Sequence, residues 1–336
     1  MPTLFKRSNG VWYILYNEGG RTRWKSTGAS LKTDALKKLT EFNELLRSKP
    51  KPKTLSQFIM EFLSYAKATY AKPTVDIFAI GLKHLQVISG DCLLTQLSPQ
   101  HIDRYKSQRL SSVSPTTVNV EVRGLRAVLN VALRWKLIDD NPFSKVQLIR
   151  IAEQPPTFFS KADFQNLISV IKENWLKELV VLSVLTGMRR GELINLRWQE
   201  IDLQRKLLHI QSNATFKTKQ GKQRTLPLSE VAFQLLSARH RLSVCEYVFS
   251  LKEEKVKESF VSHKLKDYIR DAGLNEKLHF HSLRHTFASW LVQDGVSLYE
   301  VQKLLGHSNI AVTQVYSHLQ PEGLHSTVNK ISLVLN

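Results

Sequence analysis

The chain has 336 residues, 42% of them hydrophobic, which is enough for two or three domains with proper cores and too apolar for a disordered protein. Forty-eight Lys and Arg against 29 Asp and Glu leave a net charge of +19, which points to a polyanionic partner, nucleic acid ahead of an anionic membrane surface. The longest apolar run, LVVLSVL at 179–185, is far short of the roughly 20 residues a bilayer requires, and MPTLFKRSNG carries no signal-peptide core.

Two cysteines, Cys92 and Cys245, without metal-ligand spacing exclude a disulfide framework or a zinc finger and fit a reduced, cytosolic setting. Two linkers stand out by composition: RSKPKPKT (47–54), rich in Lys and Pro, and AEQPPTFF (152–159). They divide the chain into 1–53, 54–153 and 154–336, with net charges of +8, +4 and +7, so the first segment is the most basic for its size. The expected fold class is mainly α with small β-sheets, in several domains.

In chain order, VWYILY (11–16) and RTRWKST (21–27) flank the turn residues Glu18-Gly19-Gly20 and predict a hairpin. Alternation puts Arg21, Arg23 and Lys25 on one strand face and Trp24 on the other. Such a basic face is either simply solvated or laid into a DNA major groove, which admits a two-stranded ribbon. A helix is expected from about Asp34, with Leu36, Leu39, Phe42 and Leu46 at helical spacing.

Residues 54–153 predict a bundle of four or five helices, with an apolar stripe at Phe58, Phe62 and Tyr65. One helix is expected to open with Ser114 as cap and Pro115 in its first turn, and to stop at Asp140-Asn141-Pro142. Lys106, Arg109, Arg123 and Arg126 could follow a phosphate backbone or be solvated. The third segment is mainly helical, interrupted by strands in LLHIQSNATFKTKQGKQRTLPLS (207–229) around a Lys219–Lys222 turn. Near its end, Ser297 and Glu300 form a capping box and Gly306 closes the helix they open.

Four stretches of this third segment concentrate chemistry. In LTGMRRGELINL (185–196), Gly187 ends one helix and Arg189 sits where the next begins. TKQGKQRTLPL (218–228) offers Lys219 at a strand end, HFHSLRHTFASWL (279–291) puts His281 and Arg284 on one helix face, and LGHSNIAVTQVYSH (305–318) holds His307 and Tyr316. Arg190 reads as a surface neighbour and His285 as a packing residue. His279, His281 and His285 show neither an H-E-x-x-H pattern nor a carboxylate triad, so no metal is expected.

Taken in order and with their spacings, T-G-x-R, a hairpin Lys eight residues before a Pro, H-x-L-R-H, L-G-H and a Tyr nine residues later resemble the tyrosine recombinase family of phage integrases and Xer-type recombinases. The resemblance assigns Arg189 and Arg284 to the scissile phosphate, His281 and His307 to its remaining contacts, and Lys219 to the general acid. Tyr316 falls on the nucleophile, and Glu192 on an acidic bracing position. Gly191 departs from the serine common at that place.

The residue types suit the reaction. Fixed donors aimed at the phosphate oxygens stabilise the transition state, each worth about 3–4 kcal/mol. Arginine binds phosphate through two parallel hydrogen bonds. A phenol with pKa near 10 needs its anion favoured by surrounding cations. A phosphotyrosine conserves bond energy, so rejoining needs no ATP or other cofactor.

The family further implies a homotetramer acting on two double-stranded DNA sites through a Holliday junction, with the helical and catalytic domains as a C-shaped clamp. Accessory DNA-bending or directionality proteins and a nucleoid-associated, cytoplasmic location would follow. Residues 1–53 more loosely resemble the arm-type DNA-binding domain of mobile-element integrases, and the apolar tail at 321–336 resembles tails passed to a neighbouring protomer. A Xer-type resolvase, a type IB topoisomerase-like enzyme and a catalytically silent DNA-binding regulator are the alternatives.

Overall fold

The computed structural model describes residues 2–18, 21–48, 52–152, 154–212 and 223–320, without the side chains of 18 and 45–48. Two compact units divide between Ala152 and Glu153. No helix among the described residues is long and apolar enough to cross a membrane.

The first unit opens with an antiparallel sheet in chain order, β1 (Thr3–Lys6), β2 (Trp12–Glu18) and β3 (Arg21–Ser26), one strand more than the expected hairpin. Helix α1 (Lys32–Ser48) follows, starting slightly before Asp34. The register pairs Ile14 with Lys25 and Tyr16 with Arg23, and directly opposed residues share a face. Ile14 is buried, the Tyr16 ring meets Phe42 of α1 at 4.9 Å, and Lys25 Nζ lies 5.0 Å over that same ring. Arg21, Arg23 and Lys25 therefore share the face that α1 packs against, although all three stay exposed.

The opposite face carries the exposed Phe5 and Trp24, edge to face at 5.4 Å, with the Arg7 guanidinium over Trp24 at 4.7 Å and over Tyr13 at 4.5 Å. On α1 the inward stripe is Ala35, Leu39 and Phe42; Leu36, expected in it, is exposed.

A four-helix bundle follows: α2 (Leu55–Thr69), α3 (Lys72–Ser89), α4 (Pro99–Leu110) and α5 (Pro115–Arg134). Phe58 and Phe62 are fully buried in its core with Leu82, Leu125 and Leu129, and Tyr65 is partly buried beside them. Ser114 caps α5 as expected, its Oγ accepting from Thr117 N at 3.3 Å.

The helix stops at Arg134, earlier than the Asp140-Asn141-Pro142 signal implies, and Lys136 turns into the left-handed region at φ 58°. Buried Asn141 explains the change of direction. Its amide donates to Arg126 O and Asn130 Oδ1 and its oxygen accepts from Phe143 N, tying the returning chain along α5. Asn119 does the same at Ile149.

Three of the four basic residues noted in this segment serve the fold. Arg109 makes a two-pronged bond of 2.7 and 3.0 Å to buried Glu121, which also accepts the Tyr105 hydroxyl at 2.7 Å. Arg126 donates to Phe143 O and Val146 O, and Lys106 to Gln147 O. Arg123 is exposed.

The second unit contains α6 (Lys161–Val170), α7 (Asn174–Thr186) and the short α8 (Arg190–Ile194), then the antiparallel sheet β4 (Ile201–Asp202), β5 (Leu207–Ile210) and β6 (Arg224–Pro227). After it come α9 (Glu230–Arg241), the small hairpin β7 (Ser250–Leu251) and β8 (Glu254–Lys255), α10 (Glu258–Asp271), α11 (Phe280–Gln293) and α12 (Leu298–Leu305). Strands β5 and β6 match the β interruption expected at 207–229, with Leu208 opposite Leu226; the Lys219–Lys222 turn lies outside the described residues. Helix α7 runs through the main core, with Leu176, Leu179, Val180 and Leu182 fully buried, and packs against α11 and α9. The last described segment is a pair of 3-10 turns, Ile310–Val312 and Gln314–Leu319.

Breaking a buried ion pair by removing one partner typically costs about 3–5 kcal/mol, because the other charge stays buried. Glu121→Ala is expected to destabilise the helical bundle by that amount, measured as a lowered urea midpoint; a loss under about 1 kcal/mol would mean that the Arg109–Glu121 pair is effectively solvated.

Candidate active site

The site is built on two helix ends. Helix α7 closes on Gly187 at φ 60°, where a Cβ would lie 2.3 Å from Phe287 Cδ1. Helix α12 closes on Gly306 at φ 67°, where a Cβ would lie 2.7 Å from Arg224 Cδ. Only glycine combines that left-handed turn with such close approach. Each turn leaves a carbonyl without a partner in its helix, and Arg284 from α11 takes both: Nη1 donates to Gly187 O at 2.6 Å and Nη2 to Leu305 O at 2.7 Å. The partial negative charge of two helix C-termini thus faces a buried guanidinium. Burial first, then neighbouring Arg189 and Arg224, pushes Arg284 down to about 9, still charged at neutral pH.

Arg189 stands at the N-terminus of α8, and its backbone N–H donates to Glu192 Oε2 at 2.9 Å while its Nη1 donates to Oε1 at 3.0 Å. Arg224, at the start of β6, grips the same carboxylate with both prongs, at 2.9 and 2.6 Å. Burial alone would raise the Glu192 carboxyl; the hydrogen bonds and charge of Arg224, then Arg189, outweigh it and hold the group at about 2. Three guanidiniums therefore surround one carboxylate, a surplus of positive charge that suits an anion.

A cavity of about 230 Å³ opens above them, and Arg189, His281, Arg284 and His307 form its wall with the Gly306-His307-Ser308 turn. His307 is oriented by Thr313, with Nδ1 2.9 Å from Oγ1. Burial, then Arg284 and Arg189, holds His307 down at about 4, so it is neutral at pH 7.

Tyr316 follows on the second 3-10 turn, its ring packed among Ala288, Val292, Val301 and Leu305 of α11 and α12. Its hydroxyl lies 2.6 Å from His285 Nδ1. Burial pushes the phenol up to about 12, against the pull of Arg284. The cations do not make Tyr316 unusually acidic here; desolvation wins.

Arg189, Glu192, His281, Arg284, His307 and Tyr316, singled out from the sequence, come together in the second unit. Lys219 lies outside the described residues. Two residues passed over in the sequence belong with them. Arg224 sits close behind the expected Lys219 turn, and only tertiary pairing gives it a role. His285, read as a packing residue, touches the Tyr316 oxygen; the only local hint is its place directly after Arg284. Arg190 pairs with Glu258 at 2.9 Å on the protein surface. No group of three or more His, Cys, Asp or Glu among the described residues could hold a metal.

Comparison with known proteins agrees with this arrangement. The profile described as "Phage integrase family" matches residues 157–322, and "Phage integrase, N-terminal domain" matches 52–150. A tyrosine recombinase of Pseudothermotoga lettingae is 28% identical over 255 residues, covering 73% of this chain and 86% of that protein. Tyrosine recombinase XerC of Pediococcus pentosaceus is 30% identical over 233 residues, covering 64% and 75%.

Among solved structures, a lambda integrase dimer bound to a COC' core site aligns with a TM-score of 0.66 at 17% identity over 94% of each chain. A Tn1549 transposon integrase in complex with transposon right end DNA aligns at 0.69 and 17% identity, over 84% of this chain and 100% of that one. These two likenesses establish the fold, which is mainly α with small antiparallel sheets. The two profiles and the recombinase relatives settle the lineage: the chain belongs to the tyrosine recombinase, or phage integrase, family and is a DNA strand-breaking and -rejoining enzyme.

Proposed function

We propose that this enzyme is the site-specific integrase of a mobile element, cutting and rejoining two double-stranded DNA sites through 3′-phosphotyrosine intermediates. The observation that carries the reading is the cationic cavity formed by Arg189, His281, Arg284 and His307, with the Tyr316 hydroxyl against His285, whose ring meets that of His281 in the cavity wall. In this reading the scissile phosphate fills the cavity and the guanidiniums stabilise its non-bridging oxygens as charge gathers there. The Tyr316 oxygen bonds to phosphorus, the bond to the 5′-oxygen breaks, and Lys219 supplies the proton that oxygen needs. Glu192 and Arg224 act through Arg189 as positioning residues. Rejoining reverses the steps with a 5′-hydroxyl from the second duplex, in a homotetramer that passes through a Holliday junction.

Residues 1–53, 54–153 and 154–336 would then serve as arm-site, core-site and catalytic domains. The first of these favours an integrase over a Xer-type resolvase: its sheet and helix precede the region matched by either family profile, and it carries a charge of +8. The XerC relative favours the resolvase, and arm-site binding separates the two.

Neutralising Arg21, Arg23 and Lys25 together is expected to weaken binding to an arm-type site and to lower its salt slope by up to about 2.7, at about 0.9 per phosphate contact. Core-site affinity should hardly change, and a slope unaltered on every DNA tested would remove the assignment. For the chemistry, Tyr316→Phe should bind core DNA and yield no covalent adduct. Lys219→Ala should cleave ordinary DNA very slowly, yet regain much of the rate when sulfur replaces the bridging 5′-oxygen, because a thiolate leaves without a proton. Arg189→Ala and Arg284→Ala should gain far less from the sulfur. Equal rescue of all three would take the acid role from Lys219.

A further inference from the structure

We infer that His285 is the catalytic base of the cleavage step, holding the Tyr316 hydroxyl and taking its proton as the phenolic oxygen attacks phosphorus. The inference rests on Tyr316 being the nucleophile.

The contact itself is close and local. His285 Nδ1 lies 2.6 Å from the Tyr316 oxygen, well inside hydrogen-bonding range. Tyr316 needs such a partner, because burial places its pKa at about 12 and leaves only about one molecule in 10⁵ ionised at pH 7. His285 is suited to accept. Burial first, then His281, His279 and Arg284, holds the imidazole down at about 4, so at neutral pH its Nδ1 can carry a free lone pair.

Held at that value, His285 is a weak base. The bound phosphodiester changes the balance, because its negative charge opposes the cations that depress the imidazole and so raises its proton affinity. The groups that face His285 are His281 and Arg284 on α11, His279 just before that helix and Tyr316 on the 3-10 turn, with Arg189, Arg224, Glu192 and His307 around Arg284. The His285 ring meets that of His281 edge to face at 4.8 Å, and His281 lines the cavity, so the base lies between the tyrosine and the phosphate wall.

The step balances without any other reactant. The Tyr316 O–H bond breaks and its proton goes to His285 Nδ1. The oxygen–phosphorus bond forms, and the bond from phosphorus to the 5′-oxygen breaks, with Lys219 protonating the leaving oxygen. On rejoining, the incoming 5′-hydroxyl gives its proton back to the neutral Lys219 amine as its oxygen bonds to phosphorus, and the departing Tyr316 oxygen recovers its proton from His285.

The test is single-turnover adduct formation by the full chain on a nicked core duplex, with His285→Ala and His285→Asn. Each variant is first checked for its melting temperature and core-DNA affinity; His285→Asn keeps a polar group in the space and gives a second reading where His285→Ala folds poorly. Loss of a general base is expected to slow cleavage about 10²- to 10⁴-fold at pH 7. The unaltered protein should show a nearly flat rate between about pH 6 and 8, whereas the variants should gain close to tenfold per pH unit as the phenolate becomes available. Replacing Tyr316 with difluorotyrosine, a more acidic phenol, should restore much of the rate to His285→Ala and little to Arg284→Ala. A flat pH profile in the His285 variants, or equal gains for His285→Ala and Arg284→Ala, would overturn the proposal. So would the pH slope and the rescue arising in His281→Ala instead. An adduct formed by Tyr316→Phe would mark a different failure, that of the nucleophile itself.

Discussion

The geometry of the site depends on one carboxylate. Glu192 is nearly inaccessible to solvent, and burying an unpaired carboxylate would be prohibitive. It remains ionised because Arg189 and Arg224 supply four hydrogen bonds between them. Through that pairing, helix α8 and strand β6 are fixed to each other across more than thirty residues of chain. Gly306 then closes over Arg224, bringing in the end of α12. With Arg284 added, positive charge exceeds negative inside a volume that solvent screens poorly, and the pocket is ready for an anion before one arrives.

Helix α11 organises what faces that charge. His281 lines the phosphate-sized cavity, Arg284 reaches down to the carbonyls that end α7 and α12, and His285 turns to the tyrosine. Three neighbouring functions on little more than one helical turn follow from the 100° step between successive residues. The helix is held in turn by Thr286 and Trp290, which hydrogen-bond the backbone of Phe159.

Local signals in the sequence were legible because they have local causes. Gly187 and Gly306 ended their helices where a left-handed turn was required, and Ser297 with Glu300 formed the capping box. The helical bundle and strands β5 and β6 followed from periodicity. What escaped was pairing at a distance. Nothing near Arg224 announces Glu192, and nothing near His285 announces Tyr316. The end of α5 came early because buried Asn141 reaches back to Arg126, a contact no window of residues displays. Arg109 and Arg126 looked like surface charge because their partners, Glu121 and the carbonyls of Phe143 and Val146, are set by packing. In the N-terminal sheet the alternation was read correctly, but which face the helix would cover needed the third dimension.

The burial of the Tyr316 ring has a mechanical consequence. Many surface side chains could swing freely once joined to a strand end, but this ring is clamped between α11 and α12 by Ala288, Val292, Val301 and Leu305. In the proposed reaction the severed strand would be fastened to the packed interior of the domain. Torque on the duplex would then be borne by helix packing, and the strand end could change partner chiefly by movement of a whole domain or protomer. A rigid tether of this kind suits exchange between two fixed duplexes better than free rotation of one duplex about a nick.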